Sequence, residues 1–450
     1  MRRVLGSQGQ LFRVRPRLSR LRPMHLKPGL RYETTEAAAS KPFRLDEGPR
    51  NPAVKIINQG ISVESGPRSK RNYLPGLWLR DNCRCMECVN QDTMQRNVET
   101  FKIPPTITPK DVRWQRDHEG GLRVTWPDGH ESQYPWRFIS NYLDHDYQEL
   151  DDPKPIFFDG KIAENPPSVD YNRVMLPDDS GVAELLEKIK RHGFAFVDNT
   201  PYEDPQDTKR LLERISFIRE THYGGFYDFT PDLSMADTAY TNIALPAHTD
   251  TTYFTDPAGL QSFHLLSHTP APGSAAAPDG ESGSEGPQGG ASLLVDGFAV
   301  ADDLKRNHPH LYKILAKVRL PWHASGNKGI TIAPDKRYPV LELDQDTGEL
   351  HRIRWNNDDR GVVPWDDEYS PEQWYEAARV WDATLRSHFQ CWIQLEPGRV
   401  LIFDNWRVLH GRSAFTGIRR ICGAYINRDD YISRWRNTNL EPWEVRKIIG

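Results

Sequence analysis

The tripeptide His248-Thr249-Asp250, together with His410 far downstream, constrains this chain more than any other feature. Two histidines and one carboxylate on a rigid scaffold can occupy one face of an octahedral Fe(II), and the opposite face then stays open for a cosubstrate and O2. Such a facial triad requires a fold that brings distant segments to one point. In a chain with 15 histidines, an H-x-D tripeptide alone is more often a chance match than a metal site.

The segments around these residues have the composition of β-strands. Ala239–Phe254 is rich in β-branched and aromatic residues. Side chains two apart on a strand point to the same face, so we expect His248 and Asp250 to reach one ion. Val400–Leu409 is predicted to be a buried strand, followed by a turn that delivers His410.

Two consecutive arginines, Arg419 and Arg420, begin a strand-like segment that ends at Tyr425. A 2-oxo acid that chelates Fe(II) through its keto oxygen and C1 carboxylate leaves a distal carboxylate, which needs a permanently charged partner. The planar guanidinium of arginine meets that need with two parallel hydrogen bonds. An H-x-D tripeptide, a distant histidine and an arginine about ten residues beyond it form the combination typical of 2-oxoglutarate-dependent oxygenases.

Most of the chain, from about Leu77 to Arg436, resembles the family of Fe(II)/2-oxoglutarate oxygenases that contains the trimethyllysine and γ-butyrobetaine dioxygenases. The fungal trimethyllysine enzymes are the most similar in pattern. The most specific stretches are Leu77–Gln95, Arg214–Phe229, Asp237–Phe254, Trp355–Arg360 and Asp404–Arg412.

The resemblance implies roles for five residues by their position. It implies that His248, Asp250 and His410 are the iron ligands. It also implies that Arg419 holds the distal carboxylate of 2-oxoglutarate, with Arg420 as the alternative.

The resemblance further implies hydroxylation of trimethyllysine at C3, with succinate and CO2 as coproducts, as the first step of carnitine biosynthesis. Fe(II), 2-oxoglutarate and ascorbate are the implied cofactors. Hydroxylation of γ-butyrobetaine to carnitine is the alternative within the family. A methyl-lysine demethylase would share the triad, but nothing in the sequence suggests a groove for a basic tail. A non-catalytic methylammonium-binding module is the alternative from another class, although it would not need the triad and the arginine.

The substrate residues are also assigned by the resemblance. A quaternary ammonium cannot donate a hydrogen bond, so aromatic faces are its natural partners. Alignment with the family assigns this role to Tyr223, Tyr227, Tyr240 and Tyr425. For the amino acid end of trimethyllysine, it assigns Asp237 and Asn356. γ-Butyrobetaine lacks the α-amino group and would leave Asp237 without a partner, which disfavours that substrate.

A cluster of three cysteines, Cys83, Cys85 and Cys88, lies near the front of the chain. Three thiolates so close in sequence suit a tetrahedral Zn2+ site that lacks one ligand. His130 is the candidate for the fourth, because the turn at Asp128-Gly129 predicts a hairpin that brings it back. The resemblance implies a structural zinc site of this Cys3His kind. A disulfide is the alternative, which a reducing compartment disfavours.

We therefore expect a mainly β protein with flanking helices. A double-stranded β-helix (jelly-roll) catalytic domain is predicted over residues 165–440, after a small zinc-binding β domain at 45–150. Helices at Gly181–His192 and Pro205–Ile218 should pack outside it. A stretch rich in Gly, Pro, Ser and Ala at 269–290 predicts a disordered insertion between strand-like runs at Gly259–Leu266 and Ala291–Val300.

The charges of the chain are nearly balanced, with 58 Lys and Arg against 62 Asp and Glu. This balance gives no case for nucleic acid or an anionic surface as partner, and no apolar run approaches the length of a membrane span. A small molecule is the expected partner, and a homodimer stays open. The first residues are rich in arginine and contain no acid before Glu33, which is typical of a mitochondrial transit peptide, here within residues 1–40. This predicts the mitochondrial matrix, with a basic tail on a cytoplasmic protein as the alternative.

Overall fold

The structure is a computed structural model, and it describes residues 53–64, 72–115, 121–144, 153–230, 241–270, 288–324, 329–365 and 367–449. The chain divides into two compact units, Met1–Asp146 and Tyr147–Gly450. The predicted transit peptide, most of the low-complexity stretch, Asp237 and Tyr240 lie outside the described residues. Within the described ranges, no helix combines the length and the hydropathy that crossing a membrane would need.

In its described residues, the first unit contains two small antiparallel sheets and two α-helices. Its elements are β1 (Val54–Ile57), β2 (Gly60–Val63), β3 (Tyr73–Pro75), α1 (Gly76–Asp81), β4 (Asp111–Gln115), β5 (Gly121–Thr125), β6 (Glu131–Pro135) and α2 (Trp136–Asp144). Strands β1–β2–β3 form one sheet and β4–β5–β6 form the other. Trp126 is fully buried in their shared core, and its indole N–H donates to Ser132 Oγ at 2.8 Å.

The predicted hairpin around Asp128-Gly129 is confirmed. Strands β5 and β6 pair antiparallel on either side of it. The Trp126 N–H donates to the carbonyl of His130 at 2.9 Å and closes the turn. The hairpin therefore returns His130 towards the segment that contains the cysteines.

The second unit contains thirteen strands and eight helices in the part of the chain that the structure describes. In chain order they are β7 (Ser168–Asp170), α3 (Tyr171–Val174), α4 (Ser180–His192), β8 (Phe194–Asp198), α5 (Pro205–Ile215), β9 (Tyr227–Phe229), β10 (Leu245–His248), β11 (Leu260–Thr269), β12 (Ser292–Asp296), α6 (Gly297–Asn307), α7 (Pro309–Lys317), β13 (Leu341–Leu343), β14 (Leu350–Ile353), α8 (Pro371–Leu385), β15 (Cys391–Ile393), β16 (Arg399–Asp404), β17 (Val408–Arg412), β18 (Ile418–Gly423), β19 (Tyr425–Ile426), α9 (Arg428–Asn439) and α10 (Pro442–Ile449).

Two sheets form the centre of this unit. The long sheet has the order β7-β8-β16-β11-β18-β9, with β19 also paired to β11, and the short sheet has the order β10-β17-β12-β15. Strands β7 and β8 run parallel, and the other neighbours in these sheets pair antiparallel. A separate hairpin is made by β13 and β14.

The two sheets share one apolar core between their facing sides. Leu401 and Phe403 of the long sheet belong to the same buried cluster as Leu294 and Val408 of the short sheet. Residues on the other side of β16, such as Val400, pack instead with helices α4, α5 and α9. This alternation is the two-residue period of a strand that is covered on both faces.

Helices cover the outer face of each sheet. On the short sheet, Leu293 and Leu409 pack outward with Trp374 and Trp381 of α8. The predicted helix at Gly181–His192 is confirmed as α4, and the one predicted from Pro205 is confirmed as α5 but ends at Ile215. The mainly β fold with flanking helices is therefore confirmed.

Three of the predicted strand assignments need correction. The run from Ala291 to Val300 is a strand only to Asp296, whose side chain accepts from two backbone N–H groups and begins helix α6. Among the described residues of the run Ala239–Phe254, which begin at Thr241, only β10 is a strand, and it ends at His248. Val400–Leu409 contains the turn between β16 and β17, so His410 lies inside the second strand and does not follow a turn.

Candidate active site

Three potential metal ligands meet where β10 and β17 pair. His248 lies opposite His410 in the register of these strands, and Asp250 is in the loop directly after β10. Their ligand atoms all lie within 4.8 Å of one another. Asp250 Oδ1 is 3.2 Å from His248 Nε2 and 3.8 Å from His410 Nε2. Ligands at 90° and about 2.1 Å from an octahedral ion lie about 3 Å apart, so this donor set fits such an ion.

Hydrogen bonding fixes which nitrogen of His248 faces the other ligands. Its Nδ1 lies 2.8 Å from the carbonyl of Pro246, which can only accept, so Nδ1 has a proton and Nε2 is the nitrogen that faces the other ligands. Burial opposes protonation of His248, but the hydrogen bond to Asp250 and the charge of Asp250 outweigh burial and raise its pKa, so an ion bound at Nε2 would replace a proton. The pKa of His410 is lowered to about 3, first by burial and then by the charge of His248, so its ring is neutral.

Asp250 is ionised and held in one orientation. Burial opposes its ionisation, but the neighbouring His410 and His248 and the hydroxyl of Tyr425 outweigh burial and lower its pKa. Gln261 Nε2 and the Tyr425 hydroxyl each donate to Asp250 Oδ2 at 2.6 Å. Burial, and then the charge of Asp250, raise the pKa of Tyr425 well above its usual value, so the phenol keeps the proton that it donates.

The backbone of the Asp250 loop is clamped by Asn405. The side-chain oxygen of Asn405 accepts from the Asp250 N–H at 2.8 Å, and its amide donates to the Asp250 carbonyl at 3.0 Å. The next residue, Thr251, has a φ of 58°, a left-handed conformation that a side chain rarely adopts. Its hydroxyl accepts from the Ala258 N–H at 2.8 Å, which helps to hold this turn.

A second segment, Trp355 to Asp359, is tied to the same loop. Thr249 and Trp355 bond reciprocally, with Thr249 N–H to Trp355 O at 2.7 Å and Trp355 N–H to Thr249 Oγ1 at 3.0 Å. Asp359 accepts from the Thr252 hydroxyl at 2.6 Å and from the Asn356 amide at 3.1 Å. Thr249 lies between the potential ligands His248 and Asp250. Its hydrogen bonds to Trp355 therefore connect the ligand loop to the segment that contains Asn356.

Arg419 lies in β18 and is 3% exposed. Its Nε has no hydrogen-bond partner among the described residues, and its guanidinium packs on Phe415 at 5.0 Å. Burial, and then the charge of Arg412, lower the pKa of Arg419 to about 10, so it remains a cation at neutral pH. A buried cation with an unused donor is costly unless an anion pairs with it.

Gly290 makes room for this guanidinium. A Cβ at Gly290 would lie 3.0 Å from the central carbon of the Arg419 guanidinium, and Gly290 has a φ of 73°. Arg420, the alternative arginine, points the other way from the strand. It donates to both carboxylate oxygens of Asp228, at 2.8 and 2.6 Å, and is not among the residues that line the cavity.

A cavity of about 490 Å³ joins these groups. The three potential ligands and Arg419 line it, and so do four of the six predicted substrate residues: Tyr223, Tyr227, Tyr425 and Asn356. The rings of Tyr227 and Tyr425 are 5.9 Å apart at 65°, in an edge-on contact. The other two predicted residues, Asp237 and Tyr240, fall outside the described ranges.

Several residues that help to form the site were missed by the sequence analysis. Gln261, Asn405, Tyr253, Asp359 and Arg412 line the cavity or hold its residues. Tyr253, Asp359 and Asn405 lie in stretches that support the family resemblance, and Arg412 is also two residues after His410 and so shares its strand face. Gln261 lies outside these stretches and had no signal in the sequence.

The first unit contains a second group of metal-type ligands. Cys83 Sγ and Cys88 Sγ each lie 3.4 Å from His130 Nε2, and Cys85 Sγ lies 3.6 Å from it. Zinc bonds of about 2.3 Å to sulfur and 2.05 Å to nitrogen, at tetrahedral angles, place such atoms about 3.5 Å apart. All five cysteines are free, so the disulfide alternative does not occur. Arg80 donates to Cys88 Sγ at 3.1 Å.

Two family models and several known dioxygenases match this chain. Residues 156–425 match the taurine catabolism dioxygenase TauD, TfdA family, and residues 61–140 match the N-terminal region of the gamma-butyrobetaine hydroxylase-like family. A trimethyllysine dioxygenase of Neurospora crassa is 58% identical over 88% of this chain and 87% of its own length.

Two more distant relatives extend the comparison. The mitochondrial trimethyllysine dioxygenase of Homo sapiens is 39% identical over 81% of this chain and 82% of its own length. A gamma-butyrobetaine dioxygenase of a Pseudomonas species is 31% identical over 80% of this chain and 88% of its own length. The chain therefore belongs to the TauD, TfdA family of dioxygenases, among the trimethyllysine dioxygenases of that family.

Proposed function

We propose that the protein hydroxylates trimethyllysine at C3, using Fe(II) and 2-oxoglutarate, and releases succinate and CO2. The observation that most supports this is one cavity lined by two histidines, an ionised carboxylate, three tyrosines and a buried arginine whose Nε has no partner among the described residues. The named trimethyllysine dioxygenases among its relatives give the substrate. We propose that ascorbate keeps the iron reduced during turnover.

His248, Asp250 and His410 are the residues that would hold iron, as three ligands on one face. When bound, the ion supplies the chemistry that couples decarboxylation of 2-oxoglutarate to hydroxylation. The protein positions the three residues that would hold the ion. The Pro246 carbonyl orients His248, and Asn405 fixes the backbone of the Asp250 loop.

Arg419 is the proposed partner of the distal carboxylate of 2-oxoglutarate. It lies in the same cavity as the ligand triad, so a dicarboxylate can span from one to the other. The carboxylate would accept a hydrogen bond from the Nε of Arg419, and its negative charge would offset the positive charge of the buried guanidinium. This pairing accounts for a buried arginine whose guanidinium packs on the ring of Phe415.

Tyr223, Tyr227 and Tyr425 provide the aromatic wall for the trimethylammonium group, with Tyr240 as a fourth proposed member. Asn356 is the proposed partner for the polar end of the amino acid, and Asp359 holds its amide in place. Asp237 is proposed to pair with the α-ammonium group.

The test of the substrate compares trimethyllysine with γ-butyrobetaine in the presence of Fe(II), 2-oxoglutarate and ascorbate, with product mass as the readout. We expect much faster hydroxylation of trimethyllysine. Preference for γ-butyrobetaine would contradict the proposal, and the absence of any product with either compound would favour a binding module.

Two variants then test separately how the two ends of the substrate are bound. Asp237→Asn removes a charge at nearly constant shape and should weaken trimethyllysine hydroxylation strongly and γ-butyrobetaine hydroxylation little. Tyr240→Leu should weaken both, because both share the trimethylammonium group. Equal losses for both substrates in Asp237→Asn would show that this carboxylate does not bind the amino group.

We also propose three finer features of the molecule. The two facing sheets of the second unit form a double-stranded β-helix, supported by their shared core. Cys83, Cys85, Cys88 and His130 hold a structural Zn2+, since four protein ligands leave no open position. The arginine-rich start directs the chain to mitochondria, in keeping with the names of vertebrate relatives.

A further inference from the structure

The two carboxylate oxygens of Asp250 have different surroundings. Oδ2 accepts two short hydrogen bonds, from Gln261 Nε2 and from the Tyr425 hydroxyl, both at 2.6 Å. Oδ1 faces the Nε2 atoms of His248 and His410 at 3.2 and 3.8 Å. Oδ2 is therefore hydrogen-bonded to two protein side chains, and Oδ1 is the oxygen that faces the two histidines.

This difference decides how many positions around an octahedral ion remain open. If the carboxylate binds through one oxygen, the triad occupies three positions, and three stay open for a chelating 2-oxo acid and O2. If it binds through both oxygens, only two positions remain, and the 2-oxo acid alone fills them. A carboxylate with two free oxygens can adopt either mode, since cations bind carboxylates through one or both oxygens.

The two donors are held as a pair by the long sheet. Gln261 of β11 and Tyr425 of β19 are direct partners in an antiparallel register, so their side chains lie on the same face of the sheet. Gln261 is 2% exposed and Tyr425 is 8% exposed. The hydrogen bonds to Oδ2 are therefore formed by two neighbouring, buried side chains.

We infer that Gln261 and Tyr425 are positioning residues that hold Asp250 to coordination through one oxygen and so keep a position available for O2. The inference rests on the proposed function. It gives Tyr425 a role in addition to its place in the aromatic wall, where its ring lies 5.9 Å from that of Tyr227. Removal of the hydroxyl alone separates the two roles, because Tyr425→Phe keeps the ring.

The test compares the wild-type protein with Gln261→Met, Tyr425→Phe and the double variant. Titration with Mn(II) in the absence of O2 measures whether the triad still binds an ion. The KM for O2, measured by O2 consumption with 2-oxoglutarate and trimethyllysine present, reports on the remaining position. In the double variant we expect the KM for O2 to rise by about tenfold or more. The Kd for Mn(II) and the KM for 2-oxoglutarate should change much less.

Tyr338→Phe is the matched control for these metal measurements, because Tyr338 is also a buried tyrosine but does not line the cavity. Its hydroxyl donates to Asp335 Oδ1 at 3.0 Å and not to Asp250. Its Mn(II) affinity and its KM for O2 should equal those of the wild type. If the double variant does not fold, the two single variants decide by the same measurements, with smaller expected changes.

Two results would overturn the inference: a weaker Mn(II) affinity with an unchanged KM for O2, or no change in either quantity. Failure of the proposed function gives a different result. If the wild type consumes O2 and 2-oxoglutarate but leaves trimethyllysine unmodified, the substrate assignment is wrong. The comparison of KM for O2 among the variants then still decides the role of Gln261 and Tyr425.

Discussion

At the scale of single residues, the pleat of one strand distinguishes two adjacent arginines. Arg419 and Ile421 face the interior between the sheets, where Ile421 belongs to the shared core. Arg420, between them, faces the other side and pairs with Asp228. Among the residues that the structure describes, only Arg420 of these two cations is paired with a carboxylate, although their chemistry is identical.

The first prediction follows from this difference. Arg419→Ala should raise the KM for 2-oxoglutarate by about 10- to 100-fold, because a hydrogen bond to a charged group contributes about 1.5–3 kcal/mol. Steady-state kinetics at saturating trimethyllysine would measure this. Arg420→Ala is the control, and its KM should stay near the wild-type value because the pair with Asp228 lies outside the cavity. The opposite pattern would assign the cosubstrate to Arg420.

At the scale of elements, the ends of strands place the groups around the cavity. The segment before β12 passes directly over Arg419, with the Gly290 N–H donating to the Ala414 carbonyl at 3.1 Å. Phe415, in the loop between β17 and β18, packs on both Arg412 and Arg419, at 5.1 and 5.0 Å. These loops determine the shape of the pocket end that is opposite the triad in our proposal.

The second prediction concerns Gly290→Ala. A new methyl group 3.0 Å from the guanidinium carbon should displace Arg419, so the KM for 2-oxoglutarate should rise. Gly348→Ala is a matched control, since Gly348 has a nearly equal φ of 72° but no atom within 4 Å of the added carbon. Both variants should lose about 1–2 kcal/mol of stability from the left-handed backbone. Equal KM values in the two variants would show that Gly290 does not shape the cosubstrate site.

Strand β11 also contains a buried histidine, His264, on the face opposite to the cavity. Its Nδ1 lies 2.7 Å from Thr208 Oγ1, and its Nε2 accepts from the Gly398 N–H at 3.1 Å. Burial lowers the pKa of His264 to about 4. The ring is therefore neutral in the folded protein at neutral pH, and it links β11 to α5 and to the turn before β16.

The third prediction is an acid-dependent loss of stability from this residue. Above about pH 6.5 the ring is neutral in both states; as pH falls towards 4, the unfolded chain binds a proton that the folded protein does not. The contribution of His264 to stability should therefore be complete above pH 6.5 and fall by about 3 kcal/mol by pH 4. Denaturant titrations of wild type and His264→Leu at pH 7 and pH 4.5 would measure it. The stability difference between the two proteins should shrink at the lower pH, and a constant difference would contradict the prediction.

At the scale of the whole molecule, the two units differ in how they are stabilised. The second unit has large apolar clusters on both faces of its sheets. In the described part of the first unit, one cluster surrounds Trp126 and a small one lies at the cysteines. A small domain gains less from burial of apolar surface, so an ion that crosslinks it has a larger relative effect.

The fourth prediction is that the purified protein contains about one zinc per chain when prepared without added metal. Elemental analysis would measure it. Cys85→Ser should lose the zinc and lower the unfolding temperature of the first unit, whereas Cys391→Ala, in the other unit, should keep the zinc. A full complement of zinc in Cys85→Ser would exclude this cysteine as a ligand.

The sequence alone determined the chemistry of the protein and the identity of its separate parts. The H-x-D tripeptide, the distant histidine and the following arginine are recognisable because each needs a particular residue type at a particular spacing. The hairpin that returns His130, the helices α4 and α5, and the mainly β fold follow from local turn and periodicity signals. Such signals come from residues that are close together in the sequence, so they can be recognised without the structure.

Only the tertiary structure decided which atoms meet. Gln261, Asn405 and Tyr425 converge on Asp250 from positions 11, 155 and 175 residues further along the chain. Strand register brings them together, and register depends on which faces of the two sheets are buried. The burial of Arg419 in the cavity, the pairing of Arg420 with Asp228, and the hydrogen bonds to one oxygen of Asp250 have the same origin. Each depends on the direction in which a side chain leaves its strand, and on which strands lie next to it. The sequence does not show which strands are neighbours.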